Sequence, residues 1–286
     1  MWLDVRFDLD FSLCCGQVFR WKRIGDWWYG VVDDSVLKVR QCGSELMFEG
    51  ADEEFVRYYF GLNDDLNEIS HCIDKDPYIH SALKRFTGLR LVRQDPWNCI
   101  VSFICSIQKN IPAIEQMLQK MATKFGEKLH FDGEVFYRGP TVEQLAVASE
   151  DELRSCGLGF RAKYLRLTAK KICDETIRLE TLKTVPYLKA REQLIEFCGV
   201  GLKVADCVLL FSLDKPEAFP VDVWMKRVML SHYANKLDPA LVAKLKSHPT
   251  LTDKEYSKLG DFARGYFGKY AGYAQEYLYH YERTQH

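Results

Sequence analysis

The stretch 198–222, which reads CGVGLKVADCVLLFSLDKPEAFPVD, constrains the fold more than any other part of the chain. Apolar residues recur at helical spacing on both sides of Gly199 and Gly201. Glycine freely adopts the backbone conformations that a tight turn needs. The pattern therefore predicts two helices joined by a glycine turn, a helix-hairpin-helix over about 187–213 with a loop running on to Asp222. The backbone amides at the start of the second helix would suit a phosphate group.

The composition narrows the class of protein. The 286 residues are enough for two or three lobes with substantial cores, or for one large domain. No apolar run approaches the ~20 residues of a membrane span, and the acidic N-terminus is unlike a signal peptide, so we expect an intracellular protein without a membrane partner. Because the net charge is only −1, any nucleic-acid site must be a local basic face.

The cysteines and histidines show no metal-binding pattern. Ten cysteines are scattered without a CxxC pair, and the seven histidines lack metal-ligand spacing. Cysteines in the helical segments fall on apolar faces, which favours buried, reduced thiols.

Hydrophobic periodicity predicts an α+β protein. Residues 1 to about 50, including Leu3, Val5 and Phe7, alternate with period two between turn residues, which predicts an antiparallel sheet. Two short helices, 53–60 and 77–86, follow with a polar connector at 63–75 between them. We expect a β lobe over 1–85 and a helical body over 86–286. The helices predicted in that body are 96–108, 111–125, 142–149, 161–177, 187–197, 202–213, 223–234, 253–265 and 270–283.

Lys203 and Asp222 are the candidate catalytic residues. A lysine is nucleophilic only when neutral, and burial and the positive end of a helix both favour the neutral form. In the first turn of the second helix, Lys203 could attack the anomeric carbon of a nucleotide, expel the base and form a Schiff base. Asp222, the expected cap of the next helix, could stabilise the oxocarbenium-like charge. Taken singly, the two would be a solvated lysine and a cap; together, after a glycine turn, they indicate chemistry on DNA.

The segment LIEFCGVGLKVADCVLLFSLDKPEAFPVDV resembles the helix-hairpin-helix, Gly/Pro-rich loop and aspartate of base-excision glycosylases, and most of all the 8-oxoguanine DNA glycosylase/AP lyases. The resemblance covers nearly the whole chain in the family's order. The other matching motifs are RWKR at 20–23, RQDPWNCIVSFICS at 93–106, GLGFRAKY at 157–164 and YAGYAQEYLY at 270–279. The family fold is a TBP-like antiparallel sheet followed by a two-lobed helical body.

The resemblance implies roles for single residues. Lys203 matches the Schiff-base lysine and Asp222 the catalytic aspartate. Gly16 matches the glycine whose carbonyl accepts the N7–H that 8-oxoguanine has and guanine lacks. The residues that enclose the flipped base are implied to be Cys207, Gln275 and Tyr279. The residues themselves leave other interpretations open, namely a turn glycine, a core cysteine and an exposed glutamine on an amphipathic helix.

The family's contacts to the opposite strand are only partly kept. Its asparagine and two arginines that read the orphaned cytosine fall at Gln108, Ala113 and Arg161. Alanine cannot replace the bidentate fork of arginine, so we expect a relaxed preference for the base opposite the lesion. The alanine at this position also suggests a prokaryotic member of the family, which would act in the cytoplasm or nucleoid. Phe160 would be the wedge into the duplex. The implied DNA-binding residues are Gln108, Asn110, Phe160, Arg161, Gly199, Gly201 and Trp224, the last in place of a common histidine.

The resemblance also bears on cofactors and partners. No cofactor is expected, and no iron–sulfur cluster, because no cysteine follows Cys207. Backbone carbonyls at the hairpin could hold a structural monovalent cation; by position these belong to Ile195, Phe197 and Val200. The expected partner is double-stranded DNA containing 8-oxoguanine, bound by a monomer. Two alternatives remain: a glycosylase for another damaged purine, and a catalytically silent helix-hairpin-helix module that only binds DNA.

Overall fold

A five-stranded antiparallel sheet forms the N-terminal part of the computed structural model, which describes residues 2–4, 6–175 and 177–285. Its strands are β1 (Trp2–Asp4), β2 (Trp21–Ile24), β3 (Trp27–Val32), β4 (Ser35–Cys42) and β5 (Glu45–Glu49). They lie in the order β1-β5-β4-β3-β2. The inward face of the sheet buries Leu37, Val39, Leu46 and Phe48 against Phe60. β5 alternates between buried and less buried residues, as the period-two pattern predicts, whereas β4 is buried at four consecutive positions, 36–39.

Helices make up nearly all of the rest. Four helices come before residue 86: α1 (Leu9–Cys14), α2 (Glu53–Tyr59), α3 (Leu66–Ile73) and α4 (Pro77–Arg85). α1 and α2 contribute buried residues to the core of the sheet, and α3 and α4 to the core of the helical body. The helices of the following body are α5 (Pro96–Cys105), α6 (Ile111–Phe125), α7 (Val142–Val147), α8 (Glu150–Ser155), α9 (Arg161–Asp174), α10 (Tyr187–Ile195), α11 (Leu202–Ser212), α12 (Val223–His232), α13 (Pro239–Ser247), α14 (Asp253–Phe267) and α15 (Ala271–Arg283). A second, larger core runs through them. The α+β class, the sheet and the helical body containing a hairpin are thus confirmed.

Four short helices depart from the prediction. Residues 9–14 were expected in the sheet but form α1, and the connector expected at 63–75 contains α3. The segments of α8 and α13 were not predicted as helices. All four begin at a side chain that accepts a hydrogen bond from the first turn: Asp8, Asp65, Ser149 and Asp238. Caps of this kind stabilise helices too short to show a clear apolar period.

A second β-hairpin, β6 (Lys128–Phe131) and β7 (Glu134–Tyr137), was also missed. It lies against the main sheet, where Asp132 accepts hydrogen bonds from Lys38 and Tyr29, both at 2.7 Å. A two-stranded hairpin is marginal alone and depends on such contacts, which sequence patterning does not show.

Some predictions fall outside what the structure tests. Val5 of the first predicted strand and Thr176 of the helix predicted over 161–177 lie outside the described residues. The division of the chain at residue 85 stays a prediction. Within the described ranges, no helix has the length and apolarity needed to cross a bilayer.

Candidate active site

The predicted glycine turn joins α10 to α11. Gly199 has φ +85°, and a Cβ built there would lie 2.7 Å from the Tyr164 side chain, so both conformation and space require glycine. The turn is tied to α9 by the Thr168 hydroxyl, which donates to the Cys198 carbonyl at 2.8 Å. Gly201 is the N-cap of α11 and faces open space. The first turn of α11 therefore starts from a fixed position.

A cavity of about 780 Å³ opens beside the hairpin, between α11, the loop after α5, the start of α12 and the helix α15. It brings together residues far apart in the chain. The predicted site residues in its wall are Gly16, Gln108, Asn110, Gly199, Gly201, Lys203, Cys207, Asp222, Trp224, Gln275 and Tyr279. Both candidate catalytic residues and the whole predicted base pocket thus face one space.

Lys203 is half-buried in the first turn of α11. Its Nζ donates to Ser106 Oγ at 3.2 Å and lies 4.9 Å from the ring centroid of Phe103. Both partners come from the end of α5, so the amine is held between a hydroxyl and an aromatic face. The contact leaves Nζ in the wall of the cavity.

Asp222 is the N-cap of α12, as predicted, and its carboxylate accepts from the Met225 amide at 2.9 Å. Burial raises the pKa of Asp222, whereas the Met225 amide and the positive charge of Lys203 lower it. Lys203 therefore lies near enough for its charge to act on the Asp222 carboxylate.

A buried network that sequence reasoning missed joins these two residues. Asp206, fully buried on α11, accepts hydrogen bonds from the hydroxyls of Tyr187 and Tyr256, both at 2.7 Å. Tyr256 in turn accepts from the backbone amide of Val221 at 3.3 Å, directly before Asp222. Burial raises the pKa of Asp206, and the two tyrosine hydroxyls oppose this. The helix that carries Lys203 is thereby fixed to the loop that carries Asp222.

Cys207 and Tyr279 supply the apolar walls of the cavity. Cys207 lies one helical turn after Lys203, is only 3% exposed, and burial raises its thiol pKa to about 12. It therefore stays a neutral thiol with a flat, polarisable surface. Tyr279 lies beside Gly16, where a Cβ would come within 3.3 Å of its ring.

The backbone around Gly16 is held from within. Gly16 has φ +109°, and the buried side chain of Gln17 bonds the Arg90 carbonyl and the Val92 amide, each at 2.8 Å. The carbonyl of Gln17 accepts from Gln94 Nε2 at 2.8 Å. A glycine so anchored can present its own carbonyl in a defined direction.

Two buried acceptors on α15 have no hydrogen-bonding partner within the described parts of the chain: Oε1 of Gln275 and Oε1 of Glu276. Both residues line the cavity. Buried polar atoms are nearly always paired, so an unpaired atom next to a cavity indicates a ligand group that completes it. Gln275 was predicted here; Glu276 was not, because an acid on a mixed helix gives no signal by spacing.

Four of the residues predicted to bind DNA lie near the loop after α5. Gln108 is exposed with φ +51°, and the Asn110 side chain caps α6 by accepting from the Ala113 amide at 3.1 Å. Phe160 is 45% exposed. Arg161 instead lies buried, with its guanidinium 4.4 Å from the Phe160 ring and donating to the Leu158 and Ile107 carbonyls.

The hairpin residues predicted for a cation adjoin two of these residues. Ile195, Phe197 and Val200 line one shallow depression together with Gln108 and Phe160. The Phe197 carbonyl also accepts from the Val200 amide at 3.0 Å. Across the described ranges, no group of three or more His, Cys, Asp and Glu side chains could hold a metal ion.

Comparisons with known proteins agree with this architecture. Residues 3–100 match the 8-oxoguanine DNA glycosylase N-terminal domain, and residues 101–246 match the HhH-GPD superfamily of base excision DNA repair proteins. A probable N-glycosylase/DNA lyase of Methanothermobacter thermautotrophicus is 31% identical over 80% of this chain and 74% of its own length. The N-glycosylase/DNA lyase OGG1 of Arabidopsis thaliana is 30% identical over 92% of this chain and 74% of its own length.

A solved structure extends the likeness to three dimensions. The Clostridium acetobutylicum 8-oxoguanine glycosylase/lyase, in complex with double-stranded DNA containing cytosine opposite 8-oxoG, superposes with a TM-score of 0.87 at 35% identity. The match covers 98% of this chain and 92% of the other. The chain belongs to the 8-oxoguanine DNA glycosylase family of HhH-GPD base-excision repair enzymes, the N-glycosylase/DNA lyases.

Proposed function

We propose that this chain excises 8-oxoguanine from double-stranded DNA through Lys203 and then cleaves the abasic strand. The observation that carries the proposal is the single cavity that contains the amine of Lys203, the carboxylate of Asp222 and the side chains of Gln275 and Tyr279. A cavity of about 780 Å³ can hold a whole extruded nucleotide.

The chemistry follows from the two charged residues. In its neutral form, Lys203 Nζ attacks C1′ of the extruded nucleotide while the C1′–N9 bond breaks and its electron pair leaves with the base. Asp222 stabilises the positive charge that develops at C1′ and O4′. The sugar ring then opens to a Schiff base between C1′ and Lys203. Loss of a proton from C2′ and cleavage of the C3′–O bond complete β-elimination.

Recognition of the lesion is assigned to the remaining walls. The Gly16 carbonyl accepts the N7–H of 8-oxoguanine, whereas guanine would present a second acceptor and leave both unpaired. Cys207 and Tyr279 pack on the two faces of the base, and the Oε1 of Gln275 pairs with its Watson–Crick edge. The buried, unpaired state of that oxygen supports the assignment.

Contacts to the duplex surround the cavity. Phe160, exposed beside the hairpin, is the wedge that inserts into the unstacked DNA duplex. The guanidinium of Arg161 packs against the ring of Phe160. Gly199 and Gly201 bring the hairpin backbone close to a phosphate. Ile195, Phe197 and Val200 line one depression, and their carbonyls could hold a monovalent cation, which would neutralise that phosphate. With Ala113 in place of arginine, the preference for cytosine opposite the lesion is relaxed.

Borohydride trapping tests the proposal. The protein and a Lys203→Gln variant are incubated with an 8-oxoguanine duplex under borohydride, which reduces a Schiff base to a stable amine. We expect a covalent protein–DNA adduct with the parent and none with the variant. Base release without an adduct would indicate a water-dependent glycosylase, and binding without release would indicate a silent DNA-binding module. Either outcome would refute the proposed mechanism.

A further inference from the structure

Glu276 is a buried acid that the mechanism above leaves unused. Its side chain is 2% exposed, lies in the wall of the cavity and is the neighbour of Gln275 on α15. Its Oε1 has no hydrogen-bonding partner in the described structure. A buried carboxyl with a free oxygen is costly unless a ligand or a proton completes it.

Glu276 lies near the two groups proposed to recognise the base, Gly16 and Gln275. Its carboxyl and the thiol of Cys15, the residue directly before Gly16, each shift the pKa of the other. Cys15 is itself held by Gln17, whose Nε2 donates to Cys15 Sγ at 3.3 Å. Glu276 follows Gln275 on α15, and Gly16, Gln275 and Glu276 all line the same cavity.

The lesion has a matching order of groups along one edge. In 8-oxoguanine, N7–H, the O6 carbonyl and N1–H follow one another around the ring. When Gly16 holds N7–H and Gln275 holds the Watson–Crick edge, the group that lies between them faces O6. Because O6 is only an acceptor, a partner there must donate, and a carboxyl donates only when it is protonated.

The charges around Glu276 allow that proton. Burial raises the pKa of Glu276 to about 7, with Asp222 acting in the same direction. The Cys15 thiol, Arg283 and Lys203 act in the opposite direction. The other titratable groups coupled to it are Cys207 and Tyr279, both kept neutral by burial. The raised pKa lets Glu276 hold a proton near neutral pH.

We propose that protonated Glu276 donates a hydrogen bond from Oε1 to O6 of the base in the cavity and stabilises that base as it departs. The inference rests on the proposed function. When the C1′–N9 bond breaks, its electron pair passes to the purine and spreads onto O6, so a donor there gains strength in the transition state. No proton needs to be transferred, because the hydrogen bond alone stabilises the growing charge.

Single-turnover excision from pH 6 to pH 8.5 tests this assignment, with Glu276→Gln and Glu276→Ala beside the parent. The amide of Gln donates at every pH, whereas Ala never donates. We expect the parent to exceed Glu276→Ala by about tenfold at pH 6 and to lose that advantage by pH 8.5. The ratio of Glu276→Gln to the parent should rise over the same interval. Ratios that stay constant with pH would overturn the assignment.

A duplex with a preformed abasic site provides the control. It has no O6, so the ratio of strand cleavage by each variant to that by the parent should not change with pH. The same pH-dependent change on both substrates would show that Glu276 acts on Lys203 rather than on the base, and would refute the inference. If the parent itself cleaved neither substrate, the proposed function would fail instead, so the two failures are distinguishable.

Discussion

Asp206→Asn is the substitution that most directly probes how the active site is held together. The carboxylate of Asp206 accepts from two tyrosine hydroxyls at 2.7 Å and lies 3.8 Å from Arg191. Tyr187 also accepts from Arg191 and Arg264, each at 2.9 Å, so its own hydrogen must be donated to Asp206. Asparagine keeps one carbonyl acceptor but turns an NH₂ group towards the second tyrosine and removes the counter-charge.

The cost can be worked from these contacts. Losing one hydrogen bond to a buried charge costs about 1.5–3 kcal/mol, and removing one partner of a buried ion pair costs about 3–5 kcal/mol. Asparagine retains one of the two hydrogen bonds, and Arg191 still donates a hydrogen bond to the Tyr187 hydroxyl. We therefore expect a loss of about 2–3 kcal/mol in the free energy of unfolding.

Urea unfolding at pH 7 measures that loss, with Tyr256→Phe as the matched variant. Tyr256→Phe removes a single hydroxyl and with it the bonds to Asp206 and to the Val221 amide, so we expect about 1–2 kcal/mol. Both variants should also lower the borohydride-trapped fraction in single turnover, because Val221 directly precedes Asp222. A stability of Asp206→Asn within about 0.5 kcal/mol of the parent would refute the reasoning.

Two further predictions concern specificity and pH. Ala113→Arg should restore a bidentate donor near the orphaned base, so the ratio of 8-oxoguanine excision opposite cytosine to that opposite adenine should rise about tenfold in single turnover; an unchanged ratio would contradict the assignment of position 113. Folding raises the pKa of Glu276 from its ordinary value of 4.5 to about 7. Between pH 4.5 and pH 7 the native state therefore binds more protons than the unfolded state. As the pH rises through this interval, the parent should lose up to about 3 kcal/mol in the free energy of unfolding. Glu276→Gln should lack this loss when urea unfolding is compared at pH 5 and pH 8, and an identical loss in the variant would place the titration elsewhere.

Much of the fold could be predicted because local signals and tertiary packing agree. The longer helices show an apolar stripe, and turn residues such as Gly25, Asp33 and Gly43 separate the strands of the sheet. The misses are short elements. α3 and α13 depend on the caps Asp65 and Asp238, and β6 with β7 depends on contacts to Lys38 and Tyr29. The contacts of the second hairpin cross 94 and 103 residues of sequence, which periodicity does not register, whereas the two caps are local.

The site residues likewise differ in whether local sequence features reveal them. Lys203 and Asp222 could be predicted because a turn glycine, a helix start and a cap are local features. Asp206 and Glu276 could not, because each is an acid within an otherwise ordinary helical pattern. Asp206 is set apart by its hydrogen bonds with Tyr187 and Tyr256, which are distant in sequence, and Glu276 by its burial in the wall of a cavity that also includes Gly16, at the other end of the chain.

In the proposed recognition of the lesion, the placement of α15 explains how neutral groups can discriminate sharply. The proposed discrimination between N7–H and a bare N7 depends on the position of the Gly16 carbonyl, because a hydrogen bond weakens within a few tenths of an ångström. α15 is held on several sides: Tyr273 donates to Asp64 at 2.8 Å, Tyr277 donates to the Leu89 carbonyl at 3.0 Å, and Gly272 lies so close to Leu210 that no side chain would fit. The wall that carries Gln275 and Glu276 is therefore fixed to the same core as Gly16. Because this wall is held in place, it does not rearrange to pair an acceptor that a wrong base leaves unpaired. The unpaired group therefore costs about 1–3 kcal/mol, and this cost appears as selectivity against that base.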